Sequence, residues 1–157
     1  MDGRDVLARI QERGRLYGAN HTRRTIQGVL GVLADLLPAP AFRRLTATLP
    51  GDVHPAVPAD ADRPIEMLGC RAFITRLAAR LHVDEPDAAF LARVVFEQLN
   101  AVAAGATPAT VSHLVAADLR PLLRAGVAHT RPAAPQYRIK LTVPARAAVK
   151  RPAVVRP

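Results

Sequence analysis

Apolar residues fall in helical register along most of this chain. Val6, Leu7, Ile10 and Gly14 stand at spacing i, i+1, i+4, i+8, which gathers them on one face of a helix. The same spacing returns 67 positions later in Phe73, Ile74, Leu77 and Leu81. A longer stripe, Ile26, Val29, Leu30, Leu33, Leu36 and Leu37, returns at a shift of 66 as Ala92, Val95, Phe96, Leu99, Val102 and Ala103. A third, Phe42, Leu45 and Ala47, returns at a shift of 69 as Val111, Leu114 and Ala116. The shift changes only between helices, where insertions are tolerated. Any two amphipathic helices can be aligned, but three in the same order argue for duplication.

The breakers between the stripes agree with this reading. Asn20 is a candidate cap for the second helix and Pro38 its stop, while Asp84, with Pro86 and Asp87 in the first turn, opens the matching helix and Gly105 ends it. Thr107-Pro108 is a cap followed by proline at the first helical position. The join, Pro50 to Gly69, has four prolines and several acids and reads as a linker with one helical turn near Asp52 to Val57. The prediction is an all-α fold: helical repeat 1 over 1–57, a linker over 58–69, helical repeat 2 over 70–129, and an extended tail over 130–157. Each repeat supplies about three helices, and a unit of about 55 residues buries little core alone, so the two share one bundle.

This pattern resembles a bacterial domain-of-unknown-function family, number 2267. The residues that carry the likeness are an amphipathic helix, the long aliphatic helix TIQGVLGVLADLLP, and a helix ending LTATLPGDV, with the leucine–x–x–x–leucine–proline ending at Leu45 to Pro50. The second copy departs from it, with Asp118 where Leu49 would fall. The likeness covers about residues 5–127 and omits the tail. It implies a small all-helical bacterial domain and no particular reaction.

Composition adds that the core is aliphatic, since half the residues are hydrophobic, only 4% are aromatic and there is no Trp. The net charge is +9, and Lys140 and Lys150 are the only lysines among 22 cations. An arginine bias of that kind also suits a GC-rich coding sequence, so position matters more than the total. From Thr130 to Pro157 there are seven cations and no acid, whereas residues 1–129 hold fifteen cations against thirteen acids. The basicity belongs to the tail. Cys70 is the single cysteine, which excludes an intrachain disulfide and makes a reducing compartment the default. The N-terminus reads as no signal peptide, and no segment approaches the roughly 18 apolar residues of a membrane span, so a cytoplasmic protein is expected.

Candidate chemistry is sparse. His21, His54, His82, His113 and His129 are scattered, with no His or Cys at ligand spacing from another, so no metal is expected. Asp84, Glu85 and Asp87 suit a helix start better than a cation site. Cys70 lacks a local activating motif and reads as a small packed thiol. Gly28 and Gly31 form a GxxG, which clamps a nucleic-acid backbone in some folds but inside a helix serves close packing. Arg23-Arg24 and Arg43-Arg44 could extend a basic surface begun by the tail. No nucleophile, acid and base converge on one motif, so no enzyme and no cofactor are expected.

The tail has two parts. Tyr137, Ile139, Leu141 and Val143 alternate with Arg138, Lys140 and Thr142, the period of a strand. After Pro144 the segment ARAAVKRPAVVRP cannot build a core. These features predict a non-enzymatic adaptor that attaches to nucleic acid, RNA in a ribonucleoprotein such as the ribosome before DNA. Its contacts are Arg131, Tyr137, Arg138, Lys140, Arg146, Lys150, Arg151 and Arg156. The alternative is a docking or assembly factor whose strand Tyr137, Ile139, Leu141, Val143 adds to a partner's sheet.

Overall fold

The computed structural model describes residues 3–55, 64–101 and 105–127. Most of the apolar stripes become helices with that face inward. Helix α1, Gly3–Arg13, buries Val6 and Ile10. Helix α2, Gly18–Ala34, is the longest and buries ten of its seventeen residues, including Ile26, Val29, Leu30 and Leu33. Helix α3, Ala39–Thr46, buries Phe42 and Leu45, and a 3-10 turn over Gly51–Val53 follows. Helices α4, Cys70–Leu81, and α5, Glu85–Asn100, bury Phe73, Ile74 and Leu77 and then Leu91, Val95, Phe96 and Leu99. The described chain ends with two short helices, α6 over Pro108–Val111 and α7 over Arg120–Leu123, with a 3-10 turn over Ser112–Leu114 between them. No strand occurs among the described residues, and no helix among them is long and apolar enough to cross a membrane.

The packing order does not follow the chain order. α1 lies against α2 and also against α5, while α4 lies against α5 and also against α2. The 3-10 turn after α3 rests on α2, and α7 rests on α5. One hydrophobic core results, mostly aliphatic, with Phe42 of α3 in it and Phe73 of α4 meeting Phe96 of α5 at 6.1 Å between ring centroids. The compact unit runs Met1–Val127. The basic segment, with the alternating stretch from Tyr137 to Val143, lies outside the described residues.

Several local features repeat at the sequence shifts. Arg15 and His82, 67 positions apart, are the non-glycine residues with positive φ among those described, at 53° and 56°. Each follows a helix end closed by a six-residue loop: the Leu16 N–H donates to the Gln11 carbonyl at 2.9 Å, the Val83 N–H to the Ala78 carbonyl at 3.1 Å. At a shift of 66, the Asp35 N–H donates to Val32 as that of Ala101 does to Gln98. At 69, Phe42 donates to Pro38 as Val111 does to Thr107.

Three boundaries differ from those the sequence predicts. Asn20 lies inside α2, which begins at Gly18 after Tyr17, because Gly18, at φ 80°, makes the turn that Asn20 was expected to start. α2 ends at Ala34, and Pro38 instead precedes α3. The second short helix stops at Val111 and tightens into a 3-10 turn, so Leu114 is only half-buried and Leu119 and Leu123 complete the core there. Asp84 does precede α5, and Thr107 forms a capping box in which Thr107 and Thr110 exchange side-chain and backbone hydrogen bonds.

Candidate functional site

A cleft of about 710 Å³ lies between α2 and α4, closed at one end by the segment after the first 3-10 turn. Its polar lining is cationic or neutral: Arg24, Arg80, His21, His54 and His82, with Thr25 and Gln27. Its apolar lining is Leu81, Val83, Leu91 and Pro55. No carboxylate is among the lining residues. A volume of this order suits a small ligand held by a few directed polar groups.

The floor of the cleft is glycine. A β-carbon at Gly28 would overlap the Leu81 side chain, and one at Gly31 would occupy the space of the Arg80 guanidinium. Two glycines one helical turn apart therefore let α4 lay a leucine and an arginine directly on the α2 backbone. The GxxG serves helix packing, as its place inside a helix predicts. Arg80 and Arg24 have no hydrogen-bond or ion-pair partner among the described residues. His21 stacks on Tyr17 at 6.1 Å, and its Nδ1 accepts the Tyr17 N–H at 3.2 Å, which leaves Nε2 as the protonated nitrogen of the neutral ring. His54 spends its Nε2–H on the Leu49 carbonyl at 3.1 Å. Asp52, on the adjoining turn, is engaged by Arg23, and the Gln27 amide donates to the Asp52 carbonyl at 2.7 Å.

The opposite seam, between α1 and α5, is finished differently. There Arg13 Nη1 donates to Glu97 Oε1 at 3.2 Å. Elsewhere Arg76 of α4 bridges Asp35 and Glu66, and the Glu66 hydrogen bond raises the Arg76 pKa further above its usual value. At the start of α4 the Cys70 N–H donates to Asp118 Oδ2 at 3.1 Å. Gly69, the cap residue, has no side chain to do this, so a carboxylate from 48 positions away takes the role. Burial, and then the Asp118 charge, push the Cys70 thiol up from its ordinary range. A raised pKa leaves less thiolate at neutral pH, which agrees with a packed, unreactive thiol.

Of the residues the sequence singles out, the tail set Arg131, Tyr137, Arg138, Ile139, Lys140, Leu141, Val143, Arg146, Lys150, Arg151 and Arg156 lies outside the described residues. Within the body, the fold brings together three of the scattered histidines, His21, His54 and His82, with Arg24 and Arg80. Arg80 and the histidine cluster escape sequence reading because three separate segments supply them. The Arg43-Arg44 pair stands apart; Arg44 lines a smaller hollow of about 430 Å³ between α3 and α6, with His113. Among the described residues no three His, Cys, Asp or Glu side chains gather at metal-binding distance.

No curated protein and no solved structure matches the chain. A family model does, over residues 3–122, which span all of α1 to α6 and reach into α7. The chain therefore belongs to the family described as "Uncharacterized conserved protein (DUF2267)".

Proposed function

We propose that the chain is a non-enzymatic adaptor, a duplicated helical body whose basic C-terminal segment engages nucleic acid, RNA before DNA. The observation that carries this reading is the partition of charge. Residues 1–129 hold fifteen cations against thirteen acids, and several of these pair: Glu97 with Arg13, Asp52 with Arg23, Asp35 and Glu66 with Arg76. The segment from Thr130 to Pro157 brings seven cations and no carboxylate of its own. Such a segment suits phosphates, through contacts that are electrostatic and weakly sequence-selective. Its cations are Arg131, Arg138, Lys140, Arg146, Lys150, Arg151 and Arg156, and Tyr137 is its aromatic residue for stacking on an unpaired base.

Duplication is supported by the paired backbone features at shifts of 66, 67 and 69, above all the left-handed Arg15 and His82. It is also supported by the exchange symmetry of the packing. Swapping α1 with α4 and α2 with α5 turns the α2–α4 contact into the α5–α1 contact.

The test is RNA binding by fluorescence anisotropy, comparing the full chain with one that stops after Thr130. The full chain is expected to bind single-stranded RNA with a log–log salt slope of about −5 if all seven cations meet phosphates. The shorter chain is expected to lose that binding and keep its helicity, and equal binding by both would overturn the proposal. A second reading, strand addition to a partner protein, is favoured by the alternation of Tyr137, Ile139, Leu141 and Val143, which phosphate binding does not require. It expects Ile139→Asp with Leu141→Asp to abolish protein capture and leave RNA binding intact.

A further inference from the structure

The two seams between the halves of the helical body place an arginine at matched positions. Arg13 and Arg80 are 67 apart, the shift that relates α1 to α4, and Glu97 stands 66 beyond Gly31, the shift that relates α2 to α5. In the α1–α5 seam the arginine finds its carboxylate, with Arg13 and Glu97 at 3.2 Å. In the α2–α4 seam the position corresponding to Glu97 is Gly31, and Arg80 lies over it with no anion. The absence of a side chain at Gly31 gives the guanidinium its seat, since a β-carbon there would fall in the space it occupies. A second guanidinium, Arg24, and the imidazoles of His21 and His82 line the same cleft, again without a carboxylate.

We propose that this cleft binds the phosphate group of a small phosphorylated ligand, with Arg80 taking the place beside the anion that Arg13 takes beside Glu97. The matching of the seams rests on the duplication proposed above. The site itself requires nothing from the C-terminal segment. Two guanidiniums balance a dianion, which favours a phosphomonoester over a single carboxylate. The cleft, at about 710 Å³, has room beyond the phosphate, and Leu81, Val83 and Leu91 offer apolar surface to the organic part. His54 contributes little as a donor, because its Nε2–H is held by Leu49.

The experiment is calorimetric titration of the full chain with AMP as the phosphomonoester probe, inorganic phosphate and adenosine being its two parts. AMP is expected to bind at one site, phosphate at least ten-fold more weakly, and adenosine not measurably. Arg80→Gln is expected to weaken AMP at least ten-fold, while Arg124→Gln, which removes a cation outside the cleft, leaves it unchanged. Gly31→Glu restores the carboxylate that its counterpart carries; the flexible end of Arg80 can move aside for it. That variant is expected to lose AMP binding and to melt no lower than the parent. Arg80→Gln is expected to retain the parent's RNA binding, which separates this site from the tail. Equal AMP affinity in the parent and Arg80→Gln, AMP binding no tighter than phosphate, or joint loss of AMP and RNA in Arg80→Gln would each overturn the proposal. Should Gly31→Glu fail to fold, the Arg80→Gln comparison decides alone.

Discussion

The α1–α5 and α2–α4 seams use the same helices' worth of sequence to different ends. One closes on itself: Arg13 reaches Glu97, and both charges are answered inside the protein. The other has an arginine without an acid, with Leu81 and Arg80 set on the bare backbone of Gly28 and Gly31. The two seams thus differ in whether the arginine meets a carboxylate, Glu97, or a glycine, Gly31. Stability in both comes from the apolar stripes beneath, so the polar layer is left to vary.

That contrast can be broken first at the core. Leu33 of α2 and Leu99 of α5 stand 66 positions apart, the first fully buried and the second 5% exposed. Leu33→Ala and Leu99→Ala are each expected to cost about 2–5 kcal/mol in urea unfolding, Leu33 the more. An indifferent response at either would mean that the two long helices do not carry the core alike. A smaller effect distinguishes the polar layers. Arg13→Ala removes a partly exposed ion pair and is expected to cost about 0.2–1 kcal/mol, less at high salt. Arg80→Gln removes no ion pair, and its melting temperature is expected to be insensitive to salt relative to the parent.

The smallest effect concerns how the corresponding helices begin. Asp118 accepts the Cys70 N–H and, by its charge, helps to hold the thiol protonated. Asp118→Asn keeps an oxygen for that N–H and removes the charge, so the thiol pKa is expected to fall. Because the folded thiol titrates above its ordinary range, alkylation by iodoacetamide is slow at neutral pH and quickens as pH rises. The variant is expected to react faster than the parent at pH 8, measured by mass spectrometry with folding checked by circular dichroism. An unchanged rate would remove Asp118 from the account of this thiol.

Much of the body is legible in the sequence because helix periodicity is a local signal. The stripes from Val6, Ile26 and Phe73 onward predict α1, α2 and α4, and Asp84 and Thr107-Pro108 mark two helix starts. What escapes is whatever depends on distant residues. Asp118 reads as a departure from the leucine of the LTATLP ending, and only the fold gives the reason, that it caps α4 where Gly69 cannot. α7 is invisible as a separate helix because four residues carry no periodicity. The cleft is hidden for the same reason: His21, His54, Arg80 and Leu91 come from four segments, and nothing local to any of them marks a site. Its one trace is comparative, the glycine that faces a glutamate when the halves are aligned.

The crossed packing of α1 on α5 and α2 on α4 has a consequence in time. α1 ends at Arg13 and α5 begins at Glu85, so during synthesis the first helix emerges well before its second neighbour exists. At about 5–20 residues per second the wait is several seconds, long against helix formation. Through that interval the face of α1 destined for α5 has no α5 to lie on. A chain halted before Glu85 therefore leaves the side of α1 that packs on α5 without its cover.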